Sequence, residues 1–322
     1  MTDIVDMHVH TAGLGHGGTG CWISEKTKNS IPFTVLRLNL GIRKREMQDD
    51  LDGRLRELLY RHLDESKLVA AAVVYAHDRI YGTDGKVREE LMQIYVPNDY
   101  VLRLAKERPG RILPAASIHP YRPDALDELD RCIAAGAVAV KWLPNSQGID
   151  PADPRIDRFY RRLADAKLPL ICHTGGEHTV RIIDAKMSGL RPLERPLSLG
   201  VAVVAAHSGT RSGLWDEDSF DEFVALTRRW PDLYGDLSAW SAANRVRHYR
   251  RLLRSGIDWR QVLHGSDYPV PAMPWCFIGK LTRAEIRRCS AVKNPFDRDV
   301  ELKRAVGIPE SVFANAAKLF RR

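Results

Sequence analysis

His8 and His10 stand two residues apart in the opening stretch Asp3-Ile-Val-Asp-Met-His-Val-His10. On a strand, residues i and i+2 point to one face, about 6.6 Å apart along the axis. Two imidazoles presented side by side begin a divalent-metal site, although a strand that carries two histidines by chance reads the same way. Donors elsewhere decide between the two. His173 ends the apolar run Leu168–His173, His207 ends Val201–His207, and Asp267 ends Gln261–Asp267. Four histidines and one carboxylate are the ligand types of zinc or a similar divalent ion with room for a water. Lys141, near the end of Ala137–Trp142, adds an ammonium that repels a cation and is no ligand.

Such residues need a scaffold that brings them together. Eight apolar strands begin near residues 4, 69, 112, 137, 168, 201, 233 and 261, and from the fourth onward the starts recur every 28 to 33 residues. Between them, helical patterning is expected over Met47–Leu63, Val87–Arg108, Ala125–Ala135, Asp157–Ala166, Phe220–Trp230 and Ala243–Ser255, with a last helix from Glu301–Phe320. Continuous apolar strands alternating with amphipathic helices make a parallel sheet covered by helices. Eight such units predict an α/β fold, a (β/α)8 TIM barrel, as one domain over residues 1–322, with loop insertions after strands 1 and 8. An open doubly wound sheet is the alternative. In a barrel the strand C-termini converge on one mouth, so the donors above share a site.

Composition narrows the class. The chain has 322 residues, 44% of them apolar, and a net charge of +8. No run of 18 apolar residues occurs, and no basic segment followed by an apolar one opens the chain, so a cytoplasmic location is expected. The five cysteines, Cys21, Cys132, Cys172, Cys276 and Cys289, are scattered and include no Cys-x-x-Cys, which argues for reduced thiols. Cys172 alternates away from His173 into the core, and the role of Cys21 stays open. The basic clusters, Arg43-Lys44-Arg45 and Arg321-Arg322 among them, are short and interrupted by acids. A nucleic-acid partner is therefore not favoured, while a small anionic substrate suits the charge. The glycine-rich stretch Gly13–Gly20 lacks the Lys-Ser/Thr of a phosphate loop and reads as a flexible loop beside the site.

The motifs Asp6-Met-His-Val-His10, Leu170-Ile-Cys-His173-Thr-Gly, Val204-Ala-Ala-His207-Ser-Gly, Gly265-Ser-Asp267-Tyr-Pro269 and Asn315-Ala-Ala-Lys-Leu-Phe320 together resemble the amidohydrolase superfamily of metal-dependent barrel enzymes, in its family 2 branch. The resemblance spans nearly the whole chain. It implies that His8, His10, His173 and Asp267 bind metal, and that His207 holds a second ion or polarises a substrate carbonyl. Asp267 would also move the proton of an activated water. Lys141 would carry a CO2-derived carboxylate bridging two ions or, as a free ammonium, hold a substrate carboxylate. The implied cofactor is one or two divalent ions, zinc foremost, with manganese or iron as alternatives.

The implied reaction is hydrolysis of a C–N or C–O bond (amide, cyclic amide, ester or lactone) in a small substrate. Non-oxidative decarboxylation of an aromatic or enoic acid is the alternative at the same ligands. A metal-dependent nuclease or nucleic-acid-binding protein is a third reading, weakened because the related nucleases carry glutamate where this chain has Lys141. Arg211 and Trp142 are the expected substrate contacts, a homo-oligomer is allowed for, and no membrane partner is expected. His77, His119, Asp236, Glu177, His178 and Tyr268 lie near the mouth, each expected to support the site or sit on a loop.

Overall fold

The computed structural model describes residues 4–213 and 215–320; Asp3 and the Arg321-Arg322 pair lie outside the described residues. Eight parallel strands form one sheet in chain order: β1 (Ile4–His10), β2 (Val69–Tyr75), β3 (Ile112–Ala116), β4 (Ala139–Trp142), β5 (Leu170–His173), β6 (Val203–Ala206), β7 (Leu233–Asp236) and β8 (Val262–Leu263). The sheet closes on itself between its first and last members. Met7 N–H donates to the His264 carbonyl at 3.0 Å, Asp267 N–H to His8 at 2.9 Å and His10 N–H to Tyr268 at 2.8 Å. The expected barrel is present.

Side-chain alternation fills it on both sides. Val73, Ala115, Ala139, Ile171, Val204 and Leu263 pack together inside the barrel. Their neighbours Val74, Ala116, Val140, Cys172, Ala205 and Val262 belong to the outer core under the helices. Parallel strands buried on both faces carry no polar alternation, which is why their sequences read as unbroken apolar runs.

The helices longer than four residues are α1 (Ile31–Asn39), α2 (Leu51–Glu65), α3 (Asn98–Glu107), α4 (Ala125–Ala134), α5 (Asp157–Asp165), α6 (Glu194–Ser198), α7 (Phe220–Arg229), α8 (Tyr249–Arg254), α9 (Arg283–Ala291), α10 (Pro295–Ala305) and α11 (Glu310–Phe320). Ala316, Leu319 and Phe320 of α11 join the interior cluster. The insertion after β1 contains α1 and α2, and the one after β8 contains α9.

Three helical expectations are corrected. Val87–Arg108 is helical only from Asn98, apart from one 3-10 turn at Glu89–Leu91. Ile94–Tyr95 pairs instead with Trp22–Ile23 as a two-stranded antiparallel ribbon. Pro97 explains the boundary, since it biases Val96 toward extended backbone and suits the start of a helix. Helix within Ala243–Ser255 is confined to α8 and a 3-10 turn at Val246–His248. Glu301–Phe320 is split between α10 and α11, because Gly307 takes φ of 94° and Pro309 follows it.

Candidate metal centre

The closure of β8 onto β1 builds the centre of the mouth. His8 Nε2 lies 3.1 Å from His10 Nε2, and Asp267 Oδ1 lies 3.2 Å from both. Three donors held about 2.1 Å from one cation stand about 3.0–3.4 Å apart for octahedral to tetrahedral angles, and this triangle matches. Three lone pairs aimed at one another repel unless a proton or cation sits among them, so the donor set itself fits a divalent ion. Asp267 reaches its place with φ of 70°, a left-handed conformation uncommon for a non-glycine residue and met at functional sites. Gly265 makes room for the approach, since a Cβ there would fall 2.7 Å from His8 Cβ.

A buried carboxylate orients the first ligand. Asp236 Oδ2 sits 2.7 Å from His8 Nδ1, while its Oδ1 accepts from His207 N–H at 2.8 Å, from Ser238 N–H at 3.0 Å and from the Ser238 hydroxyl. The network assigns the His8 proton to Nδ1 and leaves Nε2 free to ligate, the arrangement seen where a carboxylate backs a metal histidine. Burial opposes the charge of Asp236, but His8 and His207 outweigh it and hold the carboxyl well below its ordinary range. Burial likewise opposes protonation of His8, and Asp236 outweighs it, so this ring lies above the ordinary histidine value. His207 Nδ1 faces the Ser238 hydroxyl at 2.7 Å and the Ser238 carbonyl at 3.1 Å, which turns Nε2 away from that partner.

The remaining expected residues line the same cavity without joining the triangle. His173 and His207 stack edge to face with centroids 4.9 Å apart, and His207 lies 5.1 Å from His8. Burial pushes both His173 and His207 well below the ordinary value, keeping the neutral form that ligates or accepts a proton. His173 Nε2 has no hydrogen-bond partner, and Glu177 is 3.7 Å away. Lys141 is 1% exposed, its Nζ has no hydrogen-bond partner, and it lies 5.1 Å over the Tyr75 ring. Burial lowers its pKa. Buried polar atoms are normally satisfied, so these two orphans, both on the cavity wall, point to a ligand that completes them.

Two expected substrate contacts lie elsewhere. Trp142 is fully buried on the outer side of β4 among Phe159 and Tyr160, with its indole N–H on the Ile118 carbonyl at 2.7 Å. Alternation that turns Lys141 inward turns its neighbour outward. Arg211 does not line the cavity; its guanidinium is 3.7 Å from Asp218. The buried arginine here is Arg245, which donates to the Thr210 carbonyl at 2.6 Å and the Gly176 carbonyl at 2.9 Å. It thus ties together the loops that follow His173 and His207, and no sequence motif marks it.

His77, Glu177 and Tyr268 line the cavity, His119 is buried against the Gln147 carbonyl at 2.9 Å, and His178 is exposed beside Asp216. Cys172 and Cys21 are buried thiols that burial pushes up to about 12, which makes them poor nucleophiles. Two amides of the glycine-rich loop are already taken. Asp52, buried in α2, accepts from Leu14 N–H at 2.6 Å, Gly15 N–H at 3.1 Å and the Thr19 hydroxyl.

Among solved structures, an uncharacterised TIM-barrel protein from Bordetella bronchiseptica is similar with a TM-score of 0.66 at 16% identity, covering 99% of this chain and 98% of that one. A probable 2-pyrone-4,6-dicarboxylic acid hydrolase from Acinetobacter baumannii, with citric acid bound, has a TM-score of 0.58 at 15% identity over 100% of both chains. A 2,6-dihydroxybenzoate decarboxylase from Rhizobium has a TM-score of 0.59 at 14% identity, covering 100% of this chain and 99% of that one. At such identities these likenesses speak for the fold. No curated protein matches the sequence significantly. The model of the family described as Amidohydrolase, its family 2 branch, matches residues 5–276, a span that runs from β1 past Asp267 and includes every donor around the mouth, and the chain belongs to that family of enzymes.

Proposed function

We propose that the protein is a metal-dependent hydrolase that cleaves a C–N or C–O bond of a small molecule at a centre held by His8, His10 and Asp267. The observation that carries this reading is the triangle of three donor atoms at 3.1–3.2 Å. When bound, a divalent ion, zinc foremost, supplies Lewis-acid polarisation and lowers the pKa of a water from 15.7 to about 7. Asp236 keeps the His8 proton on Nδ1, so that Nε2 stays a donor. Asp267 uses Oδ1 for the triangle, and its carboxylate can accept a proton from water and pass it to the leaving group. His207, backed by Ser238, presents Nε2 to a substrate oxygen. Tyr75, Glu177 and Lys141 complete the wall.

A second reading rests on Lys141. A buried lysine with no anionic hydrogen-bond partner suits a substrate carboxylate, and an acid held there at the same centre is set for loss of CO2. The test loads the protein with zinc and measures metal per chain. It then follows proton release from esters and lactones, amine formation from amides, and CO2 release from arene carboxylates. Zinc at about one ion per chain with zinc-dependent proton release or amine formation is expected. CO2 release alone would replace hydrolysis by decarboxylation. Failure to retain zinc, and manganese or iron offered in its place, would overturn both readings.

A further inference from the structure

The cavity that begins at the donor triangle does not end there. It runs under the insertion after β1, and two helices turn largely apolar stripes toward it. Phe33, Leu36, Arg37 and Leu40 of α1 and its C-cap recur at the i, i+3, i+4, i+7 spacing of one helix face. Leu51, Leu55 and Leu59 of α2 do the same at i, i+4, i+8, a stripe about 12 Å long at the helical rise. Ile23 and Ile94 of the ribbon, Val180 and Val270 add to the wall.

Several polar groups of this region are already engaged. The Arg37 guanidinium donates to the Ile42 carbonyl at 2.5 Å. The Thr27 hydroxyl pairs with Ser24 at 2.9 Å and with Gln93 at 3.3 Å. Asn39 Nδ2 donates to the Pro269 carbonyl at 2.9 Å, tethering the end of α1 to the loop that carries Asp267. The far part of the cavity therefore offers a substrate mainly hydrocarbon, with Arg37 and Thr27 of its wall held by partners of their own, while the near part offers His10, Lys141, His173, His207 and Asp267. A compact hydrophilic acid would leave two leucine stripes facing void or water, an arrangement that forgoes the contacts apolar walls make with an apolar guest.

Resting on the metal-centre reading, we propose that the substrate is an amphiphile: a polar reacting head at the donor triangle and an extended apolar tail, alkyl or aryl, lodged between α1 and α2. The insertion after β1 is then the element that sets specificity, and Leu36, Leu55 and Leu59 read the length of the tail. Ligand sites commonly pair an apolar wall with a few converging polar groups, and here the two are segregated to opposite ends.

The test separates the tail from the head. Zinc-loaded protein is titrated calorimetrically with n-alkyl hydroxamates from acetyl to decanoyl, whose head chelates divalent metal. Metal-free protein is titrated with the matching 1-alkanols. Affinity is expected to rise by about two- to fourfold per added methylene until the chamber is full, the factor for burying one CH2. In Leu36→Asp, at a half-buried position on α1, the rise should vanish while zinc content and the unfolding midpoint stay near the parent's. Leu36→Trp should move the optimum to a shorter chain. Hydroxamates that bind zinc-loaded protein with no gain in affinity along the series would overturn the proposal and leave the metal centre standing. Alkanols that show the full rise while hydroxamates gain nothing over them would support the chamber and sink the metal centre.

Discussion

Replacing Asp236 by asparagine tests the centre through a single proton. The variant keeps shape and volume but trades one carboxylate oxygen for an amide NH2. Oδ1 of Asp236 accepts from three donors, His207 N–H, Ser238 N–H and the Ser238 hydroxyl, so the asparagine oxygen must take that side. Its NH2 then confronts His8 Nδ1, where the carboxylate lies at 2.7 Å. His8 can accept that hydrogen bond only by moving its own proton to Nε2, the atom that faces His10 and Asp267. A protonated Nε2 is no ligand. Turning the amide over instead would set NH2 against three donors and leave buried groups unpaired, at about 1–3 kcal/mol each, so the variant either loses the Nε2 lone pair or strands those donors. Loss of a carboxylate behind a metal histidine lowers metal affinity about 10- to 100-fold, or roughly 1.4–2.7 kcal/mol, in the same range. Zinc affinity is measured by competition with a chromogenic chelator. Nitrogen NMR of the metal-free protein reports the tautomer, with Nδ1–H expected in the parent and Nε2–H in Asp236→Asn. A variant that folds, keeps the Nδ1–H tautomer and holds zinc within about twofold of the parent would refute the reasoning.

Three further outcomes follow from buried groups away from the triangle. His119 accepts Tyr121 N–H at Nδ1, 3.3 Å away, and faces the Gln147 carbonyl through Nε2; burial pushes its pKa down to about 4. The unfolded ring titrates near 6.5, so between pH 6.5 and 4 the unfolded chain binds the extra proton and stability falls as pH falls, by about 3 kcal/mol in total. Urea unfolding of His119→Gln should show a flatter pH dependence across that window, and an unchanged slope would contradict it. Asp52→Ala strips the acceptor from the Leu14 and Gly15 amides, and should cost about 1–3 kcal/mol and expose Gly13–Gly20 to limited proteolysis; parent-like midpoints and cleavage would count against it. Lys303 is fully buried, donating to the Gly265 carbonyl at 2.6 Å and to Asp299. Lys303→Met should cost about 3–5 kcal/mol by stranding that carboxylate, whereas Lys303→Met with Asp299→Leu should recover most of it. If the double variant is no more stable than the single, the pairing argument fails.

Much of the architecture is written in local periodicity. The eight apolar runs mark barrel strands because a parallel strand under helices must be apolar on both faces. His8, His10, His173, His207 and Asp267 stand at strand ends, and a barrel brings strand ends to one mouth, so their convergence followed from chain order alone. Two of the three helical expectations that went astray are those where proline and glycine compete with helical patterning, at Pro97 and at Gly307 with Pro309.

What the chain order by itself determined is therefore which residues reach the mouth, since strand period and connection order are local properties. Tertiary structure decided how those residues divide: three donors close to 3.1–3.2 Å, while His173, His207 and Lys141 stand back on the wall. It also decided that Trp142 turns into the outer core, that Arg245 and not Arg211 is buried behind the site, and that Asp236 serves two histidines from two strands. The leucines of α2 carried a helical signature, but the face they present depends on how the insertion folds back over the barrel. Partners distant in the chain meet only when strands β1, β7 and β8 are in register, and a hydrogen bond between residues 228 positions apart leaves no period in the sequence to read.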